Sequence, residues 1–208
     1  MLEALTGTGL AASAGLNAYI PLLTMGLLAR YTDAINLPSG WQWLSNGWVV
    51  AILALLLAVE VVADKIPVVD HVNDIVQTVV RPTAGGLAFG AGSSSETVTV
   101  SDPGAFFGSH QWVPVAAGVV IAFCVHGVKA ASRPVVNATT AGVGAPVAST
   151  AEDFGSVVLS LLAILLPVLV LLGLALLVLG GWWVIRRRRR RKREQRPVEG
   201  VGTGRLFG

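Results

Sequence analysis

Charge is what this sequence has least of. Of its 208 residues 13% are Asp, Glu, Lys or Arg, and 53% are hydrophobic. Soluble domains carry roughly a quarter charged residues, so the shortfall points to the bilayer. Cysteine is confined to Cys124, which excludes an intrachain disulfide and a cysteine-based zinc site. No Lys or Arg precedes Arg30. The N-terminus therefore lacks the basic region of a signal peptide, and Ala12-Ser13-Ala14 is expected inside a first span instead of marking a cleavage site. No HExxH run and no nucleophile-and-base spacing is present, so the chain is not expected to be an enzyme. No cofactor is expected either.

Basic residues are also unevenly placed. Up to Ile185, five face ten acidic residues, a net charge of −5; residues 186–208 carry ten against two, a net charge of +8. The division is into a transmembrane helical domain, 1–185, and a basic tail, 186–208, expected to be disordered and cytoplasmic. An Arg run directly after an apolar segment fits a stop-transfer signal attracted to anionic lipid, and nucleic acid is not expected as a partner.

What is there is a series of apolar segments. Residues 4–30 are rich in small residues and interrupted by Asn17 and Pro21, which suits a helix packed inside a bundle. A second span covers about 47–63, a third about 113–131, and a last one 154–185, long enough that it must tilt, kink at Pro167 or project. The loops 31–46 and 93–112, free of Lys and Arg, should be external. Trp41, Trp43 and Trp48 suit the headgroup level. These placements imply six crossings with the N-terminus inside, two of the crossings being polar and Gly/Pro-interrupted. The fold class is all-α, a polytopic transmembrane helix bundle compatible with a 3+3 repeat.

Ionisable groups between such spans must be paired or used. Asp70, Asp74, Gln77 and Arg81 are spaced by four, three and four residues, and His126, Lys129, Arg133 and Asn137 by three, four and four. Each set lies on one helical face. The first ends at Arg81-Pro82, where the regular pattern is expected to stop; the second contains Arg133-Pro134 and continues to Asn137. The first stripe is acidic, with Glu60, Asp64, Lys65 and His71 nearby; the second is basic. The expectation is that they face each other, either as a purely structural ion-pair network or as the lining of a solute, ion or proton pathway. His71 and His126 with Asp70 and Asp74 offer ligand types suited to zinc or manganese, but without a tight motif they are expected to be hydrogen-bond partners, and no metal site is expected. Asn17 fits an interhelical hydrogen bond. Ser149 with Glu152 and Asp153 has the form of a capping box that opens the last helix.

The strings Ala63-Asp64-Lys65-Ile66-Pro67-x-x-Asp70-His71-x-x-Asp74-x-x-Gln77-Thr78-x-x-Arg81-Pro82 and His126-x-x-Lys129-Ala130-x-x-Arg133-x-x-x-Asn137, with Gly15-Leu16-Asn17-Ala18-Tyr19-Ile20-Pro21 near the start, resemble the domain-of-unknown-function 4126 family of multi-pass membrane proteins. The resemblance covers about residues 8–180 and implies a membrane location without an activity. The functional expectation is a small-solute or ion transporter or channel-like protein, working as a homo-oligomer in the cell membrane. Its alternatives are a non-catalytic scaffold and a protein acting on a lipid carrier, the last of which needs a lateral opening beside the polar cluster.

Overall fold

The structure, a computed structural model, describes residues 1–64, 67–93, 112–140 and 144–194. All regular structure among them is helical: α1 (Leu2–Leu16), α2 (Tyr19–Tyr31), α3 (Gly47–Ala63), α4 (Pro67–Gly92), α5 (Trp112–Thr140), α6 (Gly144–Leu165) and α7 (Val170–Glu194), with short 3-10 turns at Ser39–Ser45 and Pro167–Leu169. The all-α expectation holds.

α1 is the centre of the bundle. Gly7 and every residue from Gly9 to Leu16 are buried, and α4, α5 and α6 pack around it. Its sequence explains this placement: Gly, Ala and Ser leave no bulk to hold neighbours apart. A Cβ on Gly15 would lie 2.6 Å from Val125 Cβ and 2.7 Å from the Ala122 carbonyl. Ser13 sits at the α1–α6 contact. Its hydroxyl donates to the Ser156 carbonyl at 2.8 Å and lies 2.7 Å from the hydroxyls of both Ser156 and Ser160. α4 and α5 touch through backbone at Gly85 and Gly118, where a Cβ on Gly85 would come within 2.8 Å of the Gly118 carbonyl.

The outer surface is apolar. On α3 the large side chains Ile52, Leu55, Val59 and Val62 are exposed, while Leu53 and Glu60 are its buried residues. Trp112–Arg133 and Pro146–Leu165 are long and apolar enough to cross a membrane, and Ser39–Ser45 with Gly47–Ala63 forms a third candidate bent by 61°. This is a membrane protein.

Five expectations are corrected. Residues 4–30 do not make one span. They form a hairpin turning at Asn17-Ala18: Leu2, Glu3 and Thr6 of α1 line the same cavity as Met25 of α2 and Ile35, Asn36 and Leu37 beyond it. The N-terminus therefore lies at the same end as loop 31–46, not opposite to it. The reversal is built on Asn17, whose side-chain oxygen accepts the amides of Tyr19 at 3.1 Å and Ile20 at 3.3 Å and so caps α2.

The Arg-Pro pairs do not end their helices. α4 runs through Pro82 to Gly92, and α5 through Pro134 to Thr140. Away from water every backbone group needs an internal partner, so continuing a helix with one amide missing costs less than unwinding it. Trp41 is not at a headgroup surface; it is buried and its ring covers Gly90. Finally, α6 begins at Gly144, so Ser149 lies inside it and not at its start. Nor do residues 154–185 make one span: α6 ends at Leu165, α7 starts at Val170, and Gly155, Val158 and Leu162 of the first line the same cavity as Leu172, Gly173 and Leu176 of the second.

The hairpin fixes which ends share a side. In a chain with Cys124 replaced by Ser, Glu3→Cys and Asn36→Cys should react with an impermeant maleimide from one side of the membrane, and Arg186→Cys from the other. Labelling of Glu3→Cys and Asn36→Cys from opposite sides would overturn the hairpin. Gly118→Val should cost about 1–3 kcal/mol through overpacking at the α4–α5 contact, read as a loss of thermal stability in detergent.

Candidate functional site

Opposite the end where the N-terminus lies, four helices and the hairpin tip bring their polar residues together. α3 contributes Glu60 and Asp64 from its last turn, on the same face as Leu53. α4 contributes Asn73, Gln77 and Arg81, each four residues apart. α5 contributes His126, Lys129 and Arg133, and α6 Ser149, Glu152 and Asp153. The tip adds the Leu16 carbonyl, Asn17 and Tyr19.

Three carboxylates meet three cations. Arg81 Nη2 is 2.8 Å from Glu60 Oε1, with both side chains fully enclosed. Lys129 Nζ is 2.9 Å from Glu152 Oε2. Asp64 Oδ2 is shared: Arg133 lies at 3.3 Å, Lys129 at 3.7 Å and Arg81 at 4.0 Å. Asn73 donates to the other Asp64 oxygen at 2.8 Å. Arg133 also donates to the Ser149 hydroxyl at 3.2 Å. Among these six charges the sum is zero, which is how a low-dielectric interior can hold them.

The hairpin tip is tied into this group. Lys129 Nζ donates to the Leu16 carbonyl at 3.1 Å, so a cation closes the C-terminal end of α1, where the helix dipole favours positive charge. Asn17 Nδ2 donates to Asp153 Oδ1 at 2.9 Å. One asparagine therefore caps α2 and bridges to α6.

His126 is held between Thr78 Oγ1 at 3.3 Å from Nε2 and Arg81 Nη1 at 3.4 Å from Nδ1. A guanidinium can only donate, so Nδ1 accepts and Nε2 carries the proton toward Thr78. Among the described residues no group of three or more His, Cys, Asp or Glu side chains is arranged to hold a metal ion. Among the described residues the buried acceptors Glu60 Oε2 and Gln77 Oε1 have no hydrogen-bond partner, and neither has the buried donor Arg81 Nε. Both acceptors belong to the wall beside Tyr19, whose surroundings include Glu60, Gln77 and Arg81.

The family model described as Domain of unknown function (DUF4126) matches residues 4–187. The chain belongs to this family. The match takes in all seven helices except Leu2 and Glu3 of α1 and the last turns of α7, and every residue of the charged cluster falls within it. Comparison with curated proteins and with solved structures gives no match.

Of the residues singled out in the sequence, Asp64, Gln77, Arg81, His126, Lys129 and Arg133 converge in this cluster. Lys65 and the side chains of Asp70, His71, Asp74 and Asn137 lie outside the described residues. The stripe on α6 was missed. Ser149, Glu152, Ser156 and Ser160 are spaced by three, four and four residues, the same signal that marked the other two stripes. Reading Ser149 as a cap concealed it, because that reading starts the helix there. Glu60 had no stripe of its own in the sequence to draw attention to it.

The pairing of Glu60 with Arg81 is testable by a double-mutant cycle. Arg81→Met alone should cost about 3–5 kcal/mol, because it strands a buried carboxylate. Glu60→Leu combined with Arg81→Met should recover most of that loss, as an apolar pair has no charge to desolvate. Losses that simply add would show that the two residues do not act as a pair.

Proposed function

We propose that the protein is a multi-pass membrane protein that conducts or carries a small ion, a proton included, with the charged cluster as its inner gate. The N-terminus and loop 31–46 face outward, and the end of α7 at Arg186 faces the cytoplasm by the positive-inside rule. The observation that carries this reading is the hairpin tip. α1 and α2 are about 22 and 20 Å long, shorter than a hydrocarbon core of about 30 Å. Their turn therefore reverses within the membrane, at the cluster. Non-helical backbone at that depth is tolerated only inside protein or along an aqueous cavity, and broken helices there are the usual furniture of ion sites.

Two further features support the reading. Asp64 Oδ2 has three competing cations within 4.0 Å, so arrangements of similar electrostatic energy are within a side-chain rotation of one another. Glu60 Oε2 and Gln77 Oε1 offer unclaimed acceptors beside Tyr19, an arrangement suited to a proton or a small cation. Gating fits better than a midplane binding site. From Trp112 to Lys129 α5 rises about 26 Å, which puts the cluster near the inner boundary.

A scaffold is the second reading, favoured by the mutual pairing of Glu60, Asp64 and Glu152 with Arg81, Lys129 and Arg133. Flux separates them. Reconstituted proteoliposomes, tested with protons, monovalent cations and small anions, should show conduction above protein-free vesicles. The pair Glu60→Leu with Arg81→Met, which removes two opposite charges together, should keep the folded state while reducing flux at least tenfold. A folded wild type that moves none of these solutes, with the doubly substituted chain equally stable, would leave the scaffold reading standing and end this one.

A further inference from the structure

The cluster has a side entrance. Two adjoining cavities of about 320 and 370 Å³ run along α7, sharing Leu16, Leu176 and Leu177 in their walls. The first is lined wholly by apolar residues, among them Val158, Leu162 and Leu172, together with Gly155 and Gly173. The second is bounded by Cys124, Val125 and Val128, and at its far end meets Lys129, Ser132 and Glu152. Together they make one groove, hydrocarbon-like over most of its length and polar at a single end. That asymmetry matches an amphiphile, not a soluble metabolite or a second apolar helix.

Dimensions and charge select the occupant further. From Leu172 to Arg186 α7 rises about 21 Å, which equals half of a bilayer about 40–45 Å thick including its headgroups. The groove itself, lined along this side from Leu169 to Gly180, is about 16 Å deep, and the stretch on to Arg186 completes the leaflet. Arg186 lies about 9 Å beyond Gly180, roughly two turns past the polar end, with its guanidinium over the Trp182 ring at 4.8 Å. α7 continues from it through the Arg run to Glu194. Guanidinium groups at headgroup depth favour a phosphate. Glycines supply the slot. A Cβ on Gly180 would meet nothing within 4 Å, and one on Gly155 only the tip of Leu16 at 3.8 Å.

We propose that this groove is a specific binding site for an anionic phospholipid of the inner leaflet. One acyl chain would lie between α6 and α7, and the phosphate would sit at Arg186. The bound lipid would then form part of the wall beside Lys129 and Glu152. The proposal is independent of whether the cluster conducts ions.

Native mass spectrometry of the full chain, extracted from membranes and supplied with phosphatidylglycerol or phosphatidylcholine, tests it. The wild type should retain one phosphatidylglycerol per chain at least fivefold more than phosphatidylcholine. Gly155→Phe and Gly180→Phe fill the slot and should reduce that retention at least fivefold without lowering the melting temperature. Gly127→Phe, on an open face where a Cβ meets nothing within 4 Å, should leave it unchanged. Arg186→Gln should remove the preference for phosphatidylglycerol while retaining a folded chain. Equal retention of the two lipids by the wild type, or equal loss in Gly127→Phe and Gly180→Phe, would overturn the proposal. Displacement of phosphatidylglycerol by an equimolar polyprenyl phosphate would assign the groove to a lipid carrier and overturn it as well.

Discussion

Everything at one end of this bundle depends on Asp64 Oδ2. A single carboxylate oxygen is approached by Arg81 of α4 and by Lys129 and Arg133 of α5. Each of those cations holds something else: Glu60, the end of α1, or Ser149. α3, α4, α5, α6 and the hairpin tip are thereby joined by electrostatics at points where little apolar packing joins them. The energy of such a network is not a simple gain, since desolvation offsets much of the attraction. Its effect is geometric. It fixes which helix ends meet, and it does so strongly because leaving any member alone is costly.

The rest of the structure is held by closeness instead. α1 contributes almost no bulk, and that lack lets α4, α5 and α6 approach its backbone. Gly85 against Gly118 and Gly15 against Ala122 and Val125 are contacts between main chains. Where apolar side chains gain nothing by leaving lipid for protein, such contacts and the shared hydroxyls of Ser13, Ser156 and Ser160 are what make association favourable.

Much of this was legible in the residues. The small-residue composition of α1 pointed to an interior helix, and the spacing of His126, Lys129 and Arg133 pointed to one basic face. What was not legible follows from local rules yielding to the solvent. Pro82 would end a helix in water, and does not do so here because an unwound turn would have nowhere to place its amides. The turn at Asn17 was visible as an interruption but not as a reversal. A span bent at one polar residue and a hairpin turned at it have the same composition, and only the contact of Glu3 with the environment of Met25 and Ile35 decides between them. Glu152 was hidden by a sound local pattern: Ser149-x-x-Glu152 is a good capping box in isolation, and its role depends on residues 144–148 being helical too.

The thinness of α3's attachment has a consequence for biogenesis. It exposes most of its apolar surface and buries Leu53 and Glu60, with Asp64 at its end. In order of synthesis Glu60 and Asp64 emerge before Arg81, and well before Lys129 and Arg133. A charge at the centre of a translocating helix costs about 2.5–3.5 kcal/mol to insert, and Glu60 and Asp64, in the last turn and at the end of α3, carry a smaller part of that cost. The helix therefore enters lipid with an electrostatic debt that its own residues cannot discharge, and its final seat is fixed only after α5 arrives. Order of translation, not only shape, is written into where these acids stand.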